Sequence, residues 1–190
     1  AVAAAREMGF PVVIKIASPD VLHKTEVGGV VLGIENEDRL AAEFDAMIAR
    51  VREKEPEAGI WGLTIQKMLD AGNEVILGST RDPRFGPLLM FGLGGIYTEA
   101  LKDVSFGLAP LPEGKATQMI ESIRSAVLLQ GFRGAPVSDT PAVAECMQRL
   151  SQLVTDFPSI KELDINPLIV YAEGDGALAA DARIILTEGE

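Results

Sequence analysis

Three strand-like segments follow one another with only short turns between them: Gly62 to Met68, Asn73 to Thr80 and Pro87 to Leu93. Asp70-Ala71-Gly72 breaks the first from the second. A parallel pair needs a crossover connection of a dozen or more residues, usually a helix, and none fits in these gaps. Adjacent hairpins are therefore suggested, with antiparallel pairing. That rules out a doubly wound sheet, which needs strict strand-helix alternation, and predicts an α+β chain with helices backing mainly antiparallel sheets.

The remaining segments agree with that layout. Pro11 to Ile16 (PVVIKI) is a short β-branched strand, and Gly28 to Ile34 is the next after a polar loop. Asn36 is placed to cap a helix running to about Lys54, with Leu40, Phe44, Met47, Ile48 and Val51 on one face. Helical spacing returns from Pro112 to about Leu129 and again from Asp139 or Thr140, with Pro141 in the first turn. The chain closes with Leu163 to Tyr171 and Ala177 to Leu186, two strands around Glu173-Gly174-Asp175-Gly176. The opening AVAAAREMG reads as the end of a helix stopped by Gly9, with no visible beginning, so a longer parent polypeptide is expected.

Composition narrows the functions open to such a chain. Hydrophobic residues are 47% of the 190, enough for a core without disulfides, and the single Cys146 allows no intrachain bridge. Cys146 lies in a helical pattern beside Val143 and Met147 and reads as a packing residue; one cysteine makes a cytoplasmic setting the default. Seventeen basic against 28 acidic residues give a net charge of -11, which argues against nucleic-acid or anionic-membrane binding. No apolar run has the length of a membrane span, and no signal peptide is visible.

Against this background a few polar residues stand out. In ELDINPLIV, Glu162, Asp164 and Asn166 occupy alternate positions, so a strand presents all three on one face. Oxygen-bearing side chains so arranged suit a hard cation such as Mg2+, although a solvated sheet face has the same pattern. In ALAADARIIL, Asp181 sits among small apolar residues. A two-residue turn at Gly174-Asp175 sets Asn166 opposite residue 183, with Asp181 a diagonal neighbour on the same face. A slip of one residue would part the two side chains.

Lys15, the one charge in PVVIKI, reads either as an edge lysine that discourages aggregation or as a point charge for phosphate. The loop SPDVLHKTEVGG carries the only histidine, His23, and ends in Gly28-Gly29, whose backbone N–H groups can approach phosphate. His23 is open to a solvated reading or a phosphate-handling one. FGLGGIYTE fails as a dinucleotide fingerprint: with Gly92 and Gly94 first, the third position is Tyr97 and no βαβ unit surrounds it. Gln66-Lys67-Met68 offers backbone groups to an adenine edge, and Glu74 offers a carboxylate to ribose hydroxyls, on weak spacing evidence. Arg81, Asp82 and Arg84 read as surface charges.

Taken together, GFPVVIKIASPDVLHKTEVGGVVLG, GNEVILGSTRDPRFGPLLMFGLGGIYTEALKDVSF, DFPSIKELDINPLIV and ALAADARI resemble, in order and over most of the chain, the ATP-grasp domain of ADP-forming acyl-CoA synthetases, the succinyl-CoA-synthetase-like acetate–CoA ligases. The resemblance implies two α+β lobes around a nucleotide cleft, residues 1–68 and 69–190, without the family's first N-terminal stretch. It implies Lys15 on the α- and β-phosphates of ATP or ADP, Gln66, Lys67 and Met68 as the adenine hinge, Glu74 on the ribose, and Asn166 and Asp181 as Mg2+ ligands. It makes Asp164 the acid that meets a phosphohistidine, and His23 a second histidine in the phosphoryl relay. CoA-binding and phosphohistidine-bearing ligase domains are the implied partners. The alternatives are a regulatory ATP-grasp module of a protein lysine acetyltransferase, or a carboxylate–amine ligase with no need of His23.

Overall fold

The computed structural model describes residues 1–21, 23–95 and 102–187. The chain divides into two compact units, Ala1–Asp70 and Ala71–Glu190.

The first unit holds α1 (Val2–Met8), β1 (Val12–Ala17), β2 (Val30–Ile34), α2 (Glu37–Lys54) and β3 (Gly62–Lys67). Its sheet is antiparallel in the order β2-β1-β3. Helix α2 starts where its sequence says it should: the Asn36 side chain accepts from Arg39 N at 2.9 Å, filling one of the orphan donors of the first turn. Leu40, Met47 and Val51 from α2 and Ala5 from α1 are buried in one cluster with Val12, Ile14, Ile16 and Ile34. Each large side chain so buried stabilises by about 1.5 to 3 kcal/mol. Both helices cover the same sheet face, and Val13, Lys15 and Ala17 alternate onto the other.

The second unit holds β4 (Asn73–Asp82), β5 (Gly86–Leu93), β6 (Val104–Leu108), α3 (Lys115–Ser122), 3-10 stretches at Arg124–Gln130 and Phe132–Gly134, α4 (Thr140–Asp156), β7 (Ile160–Val170), β8 (Ala177–Ala179) and β9 (Ala182–Leu186). The sheet runs β6-β5-β4-β7-β8, with β9 also paired to β7, and every pairing is antiparallel. Val75, Leu77, Leu89, Phe91, Leu163, Leu168 and Val170 form its core with Met119, Leu129, Val143, Met147, Leu150 and Val154 from the helical side. Helices cover one face here too, and the opposite face carries the polar strand residues.

Three expectations from sequence need correcting. β6 is a strand that propensity did not reveal. The expected helix from Pro112 to Leu129 is instead α3 followed by a 3-10 stretch, because the Asp103 carboxylate accepts from Arg124 N (2.9 Å) and Ser125 N (2.7 Å) and starts a new turn there. The expected last strand, Ala177 to Leu186, is two strands with a break at Ala180-Asp181.

Candidate functional site

Lys15 lies on the central strand of its sheet, paired with Val30 on one side and Thr64 on the other. The edge-lysine reading therefore falls. Its side chain is half-buried and rises from the helix-free face beside Val13. Gln66 pairs with Val13, so it is a diagonal neighbour of Lys15 on the same face. Lys67 is opposite Val12, and Met68 N donates to Pro11 O at 3.1 Å. That bond fixes the ladder's alternation, which directs the N–H and C=O of Lys67 away from β1.

His23 is exposed in the loop after β1. The loop is tied down by Asp20 Oδ2, which accepts from Gly59 N at 2.7 Å, and by Lys54 Nζ, which donates to Glu26 O at 2.8 Å. The paired glycines have a structural use different from the expected one. Gly28 N donates to Thr25 O and Gly29 N to Lys24 O at 2.7 Å, so both amides are spent inside the loop rather than on a phosphate. A Cβ on Gly29 would sit 2.6 Å from Ile16 Cγ2, so only glycine lets the loop close on β1.

In the second unit the acidic motif converges. The hairpin turns at Glu173-Gly174, one residue earlier than expected, with Asp175 N on Ala172 O at 2.9 Å. The register therefore moves by two, an even shift that keeps every side chain on its face. Asp164 lies opposite Arg183, and Asn166 N donates to Asp181 O at 3.1 Å, so Asn166 and Asp181 are direct cross-strand neighbours instead of diagonal ones. Such a pair has Cβ atoms about 4.5 to 5.5 Å apart. The core alternation slips between Ile165 and Leu168, where the β4 pairing also shifts, so the strand is bulged at Asn166-Pro167. Burial holds the Asp164 carboxyl above the usual carboxylate range; Arg183 opposes this and Asp181 adds to it.

These donors fit a magnesium ion. Two residues with hard oxygen side chains sit at opposed positions, which suits an ion that takes one or two protein ligands and fills its other positions with phosphate oxygens and water. Among the described residues no group of three or more His, Cys, Asp or Glu forms a cage of its own.

Glu74 is exposed on β4 opposite Ile169, and Gly94 N donates to its carbonyl at 2.6 Å. A Cβ on Gly94 would lie 2.8 Å from Glu74 Cβ, which explains one glycine of FGLGGIYTE structurally. Tyr97 lies outside the described residues. Arg81 binds Val154 O at 2.6 Å and Ile160 O at 3.3 Å, fastening the end of α4 to β7. Cys146 is half-buried against the core, and burial raises its thiol pKa, as a packing residue requires. Spacing missed Arg183, although it stands two residues after Asp181 and so shares its face. It also missed a depression of about 350 Å3 lined by Gly78, Thr80, Met90, Phe106, Asp164 and Arg183 among others.

The class of protein follows from comparison. Residues 1–186 match the ATP-grasp domain, and the chain belongs to that family. It is 47% identical over 184 residues to a 4-hydroxybutyrate–CoA ligase (ADP-forming) of Nitrosopumilus maritimus, matching 97% of this chain but 26% of that protein. It is 44% identical over 180 residues to the β subunit of acetate–CoA ligase (ADP-forming) I of Pyrococcus furiosus, matching 95% of this chain and 77% of the subunit. The chain thus spans about a quarter of the first relative and three quarters of the second. Structures of the dinucleotide-forming acetyl-coenzyme A synthetase 1 of Candidatus Korarchaeum cryptofilum superpose with a TM-score of 0.94 at 42% identity in a complex with coenzyme A and Ca-AMPCP, covering 98% of this chain and 81% of that one. The TM-score is 0.84 at 40% identity, with the same coverages, in a Mg-AMPPCP complex whose phosphohistidine segment points towards the nucleotide binding site.

Proposed function

We propose that this chain is the nucleotide-binding part of an ADP-forming acid–CoA ligase and carries a phosphoryl group between a phosphohistidine and ADP, with Mg2+. The observation that carries the reading is the direct opposition of Asn166 and Asp181 with Asp164 next along the same strand. The relatives support it: the ligases from Nitrosopumilus and Pyrococcus are both ADP-forming, and a solved relative pairs a magnesium nucleotide with a phosphohistidine segment.

The two compact units serve as the two lobes, and each contributes residues from its own helix-free face. Lys15 neutralises the α- and β-phosphates. Gln66 to Met68 receive the adenine, with the outward backbone of Lys67 reading its edge. Glu74 accepts from the ribose hydroxyls. Asn166 and Asp181 would hold Mg2+, which would supply positive charge to the phosphates. Asp164 accepts the imidazole N–H of the incoming phosphohistidine. The P–N bond breaks as a P–O bond forms to the terminal oxygen of ADP, and His23 relays the group where the gap is too long for one transfer. Positioning and charge neutralisation account for the rate. The net reaction is acyl-CoA + ADP + phosphate giving acid + CoA + ATP, in the cytoplasm, with CoA-binding and phosphohistidine-bearing domains as partners.

The test is Asp181→Ala in the full-length enzyme or the reconstituted complex. Mg2+-dependent ATP formation is expected to be lost; turnover at the normal rate removes Asp181 from the site. Labelled ATP is expected to leave acid-labile, base-stable label on histidine, which a carboxylate–amine ligase would not form.

A further inference from the structure

The opposition of Asn166 and Asp181 depends on the register of the β7–β8 hairpin, and the hairpin's own residues specify that register weakly. β8 is three residues long; Ala177 packs against the core, while Leu178 and Ala179 are exposed. A strand with so small a buried face is prone to slip. The turn is permissive as well: Gly174 and Gly176 have φ of 89° and 82°, a conformation glycine adopts among many others. A slip of one residue turns Asp181 to the other face of the sheet. A slip of two carries it roughly 7 Å along the strand, at about 3.3 Å per residue. Either parts it from Asn166.

The segment Val137-Ser138-Asp139 supplies the constraint from outside the hairpin. Glu173 N donates to Val137 O and Asp139 N to Tyr171 O, both at 2.9 Å, and Ser138 bridges to Ala172. Asp139 Oδ2 accepts from Gly174 N and from Gly176 N, both at 2.9 Å, while Oδ1 accepts from Ala142 N and caps α4. Asp139 is 7% exposed, so these charge-assisted bonds are shielded from water. A hairpin turned at other residues would not bring those two amides to one oxygen. Ser138 Oγ also accepts from Asn73 Nδ2 at 2.7 Å, so the same segment holds the start of β4, next to Glu74.

We infer that Asp139 is a positioning residue for the metal site: it selects the hairpin register in which Asp181 stands opposite Asn166. The inference rests on the proposed function, in which those two residues hold Mg2+, and deepens it. Asp139 acts through the turn. The ladder pair next to that turn, Val170 with Ala177, is four residues from Asn166 along β7, roughly 13 Å.

The experiment compares Asp139→Asn and Asp139→Ser in the full-length enzyme or the reconstituted complex. Both keep a good capping oxygen for Ala142 N. Neither keeps the second carboxylate oxygen: asparagine sets an NH2 donor against Gly174 N and Gly176 N, and serine leaves both amides without that acceptor. Asp139→Ser, which opposes no donors, carries the test if Asp139→Asn does not fold. Ser151→Ala is the comparator, because it removes the hydroxyl that accepts from Leu111 N at 2.8 Å and weakens the same unit away from the hairpin. All are measured at a temperature where circular dichroism shows them folded. Hydrogen exchange is read without metal or nucleotide at the Asn166 and Ala180 amides, which donate to Asp181 O and Pro167 O. Exchange there is expected to be about tenfold faster or more in the Asp139 variants, and less affected in Ser151→Ala. The Mg2+ concentration for half-maximal ATP formation is expected to rise by about tenfold or more in the Asp139 variants, with the rate recovered at high Mg2+, and to hold in Ser151→Ala. Either readout unchanged in the Asp139 variants overturns the inference alone, as does a Mg2+ requirement that rises equally in Ser151→Ala. An unsubstituted enzyme that forms ATP without Mg2+, or a Mg2+ requirement unchanged in Asp181→Ala, overturns the functional reading and the inference with it.

Discussion

Asn166 and Asp181 face each other because the hairpin turn falls at Glu173-Gly174, with Tyr171 N on Gly176 O closing the loop. Alternation in ELDINPLIV made the face legible, and the actual register kept it because the shift was even. The bulge at Asn166-Pro167 was not legible, since it is fixed by pairing with β4, some ninety residues earlier in the chain. Lys15 shows the same division: its chemistry was open from spacing, and only the pairing of β1 on both sides excluded an edge role. His23 remains the least constrained of the proposed residues. Its loop is held at Gly59 and Lys54, and the imidazole itself is exposed. His23→Ala in the full-length enzyme is expected to slow ATP formation while Mg·ADP binding holds. ATP formation at the normal rate would dismiss the relay.

Among the elements, those written in local pattern formed where expected, and those set by distant contacts did not. Helix α2 was readable from Asn36 and its apolar stripe. β6 was not, because it is five residues long with Gly107 inside it, and glycine weakens a strand until a neighbour such as β5 fixes it. The break after Ser122 depends on Asp103, about twenty residues away, which no helical period records. Asp139 makes a similar link: its carboxylate caps α4 at Ala142 N (3.0 Å) and also accepts from Gly174 N and Gly176 N (both 2.9 Å). It thereby ties α4 to the turn that sets the Asn166–Asp181 register. Hydrogen bonds from Ala142 and Gly176, with Gly174, hold its carboxyl below the ordinary range against the opposing effect of burial. The folded pKa is depressed, so its stabilisation is present above the unfolded value of about 3.9 and is lost as pH falls through the folded one. Asp139→Asn is expected to lower the melting temperature by several degrees at neutral pH, with the gap to the unsubstituted protein narrowing below about pH 3.5. A gap that does not shrink in acid would contradict the assignment.

At the scale of the whole molecule, two separate sheets each present a helix-free face, and the residues of interest are divided between them: Lys15 and Gln66 on one, Glu74, Asp164, Asn166 and Asp181 on the other. The α+β class was legible because strands in succession leave no room for crossovers. Asp70-Ala71-Gly72, read from sequence as a break between two strands, is where the compact units adjoin along the chain. A chain of net charge -11 binds a polyanion only where local cations and a metal outweigh that background. The most direct measurement is a crystal structure of the protein with Mg·ADP. The account predicts Lys15 Nζ on the phosphates, with Asn166 and Asp181 oxygens about 2.1 Å from the ion. A nucleotide bound elsewhere, with Lys15 turned away from the metal and its ligands, would contradict it.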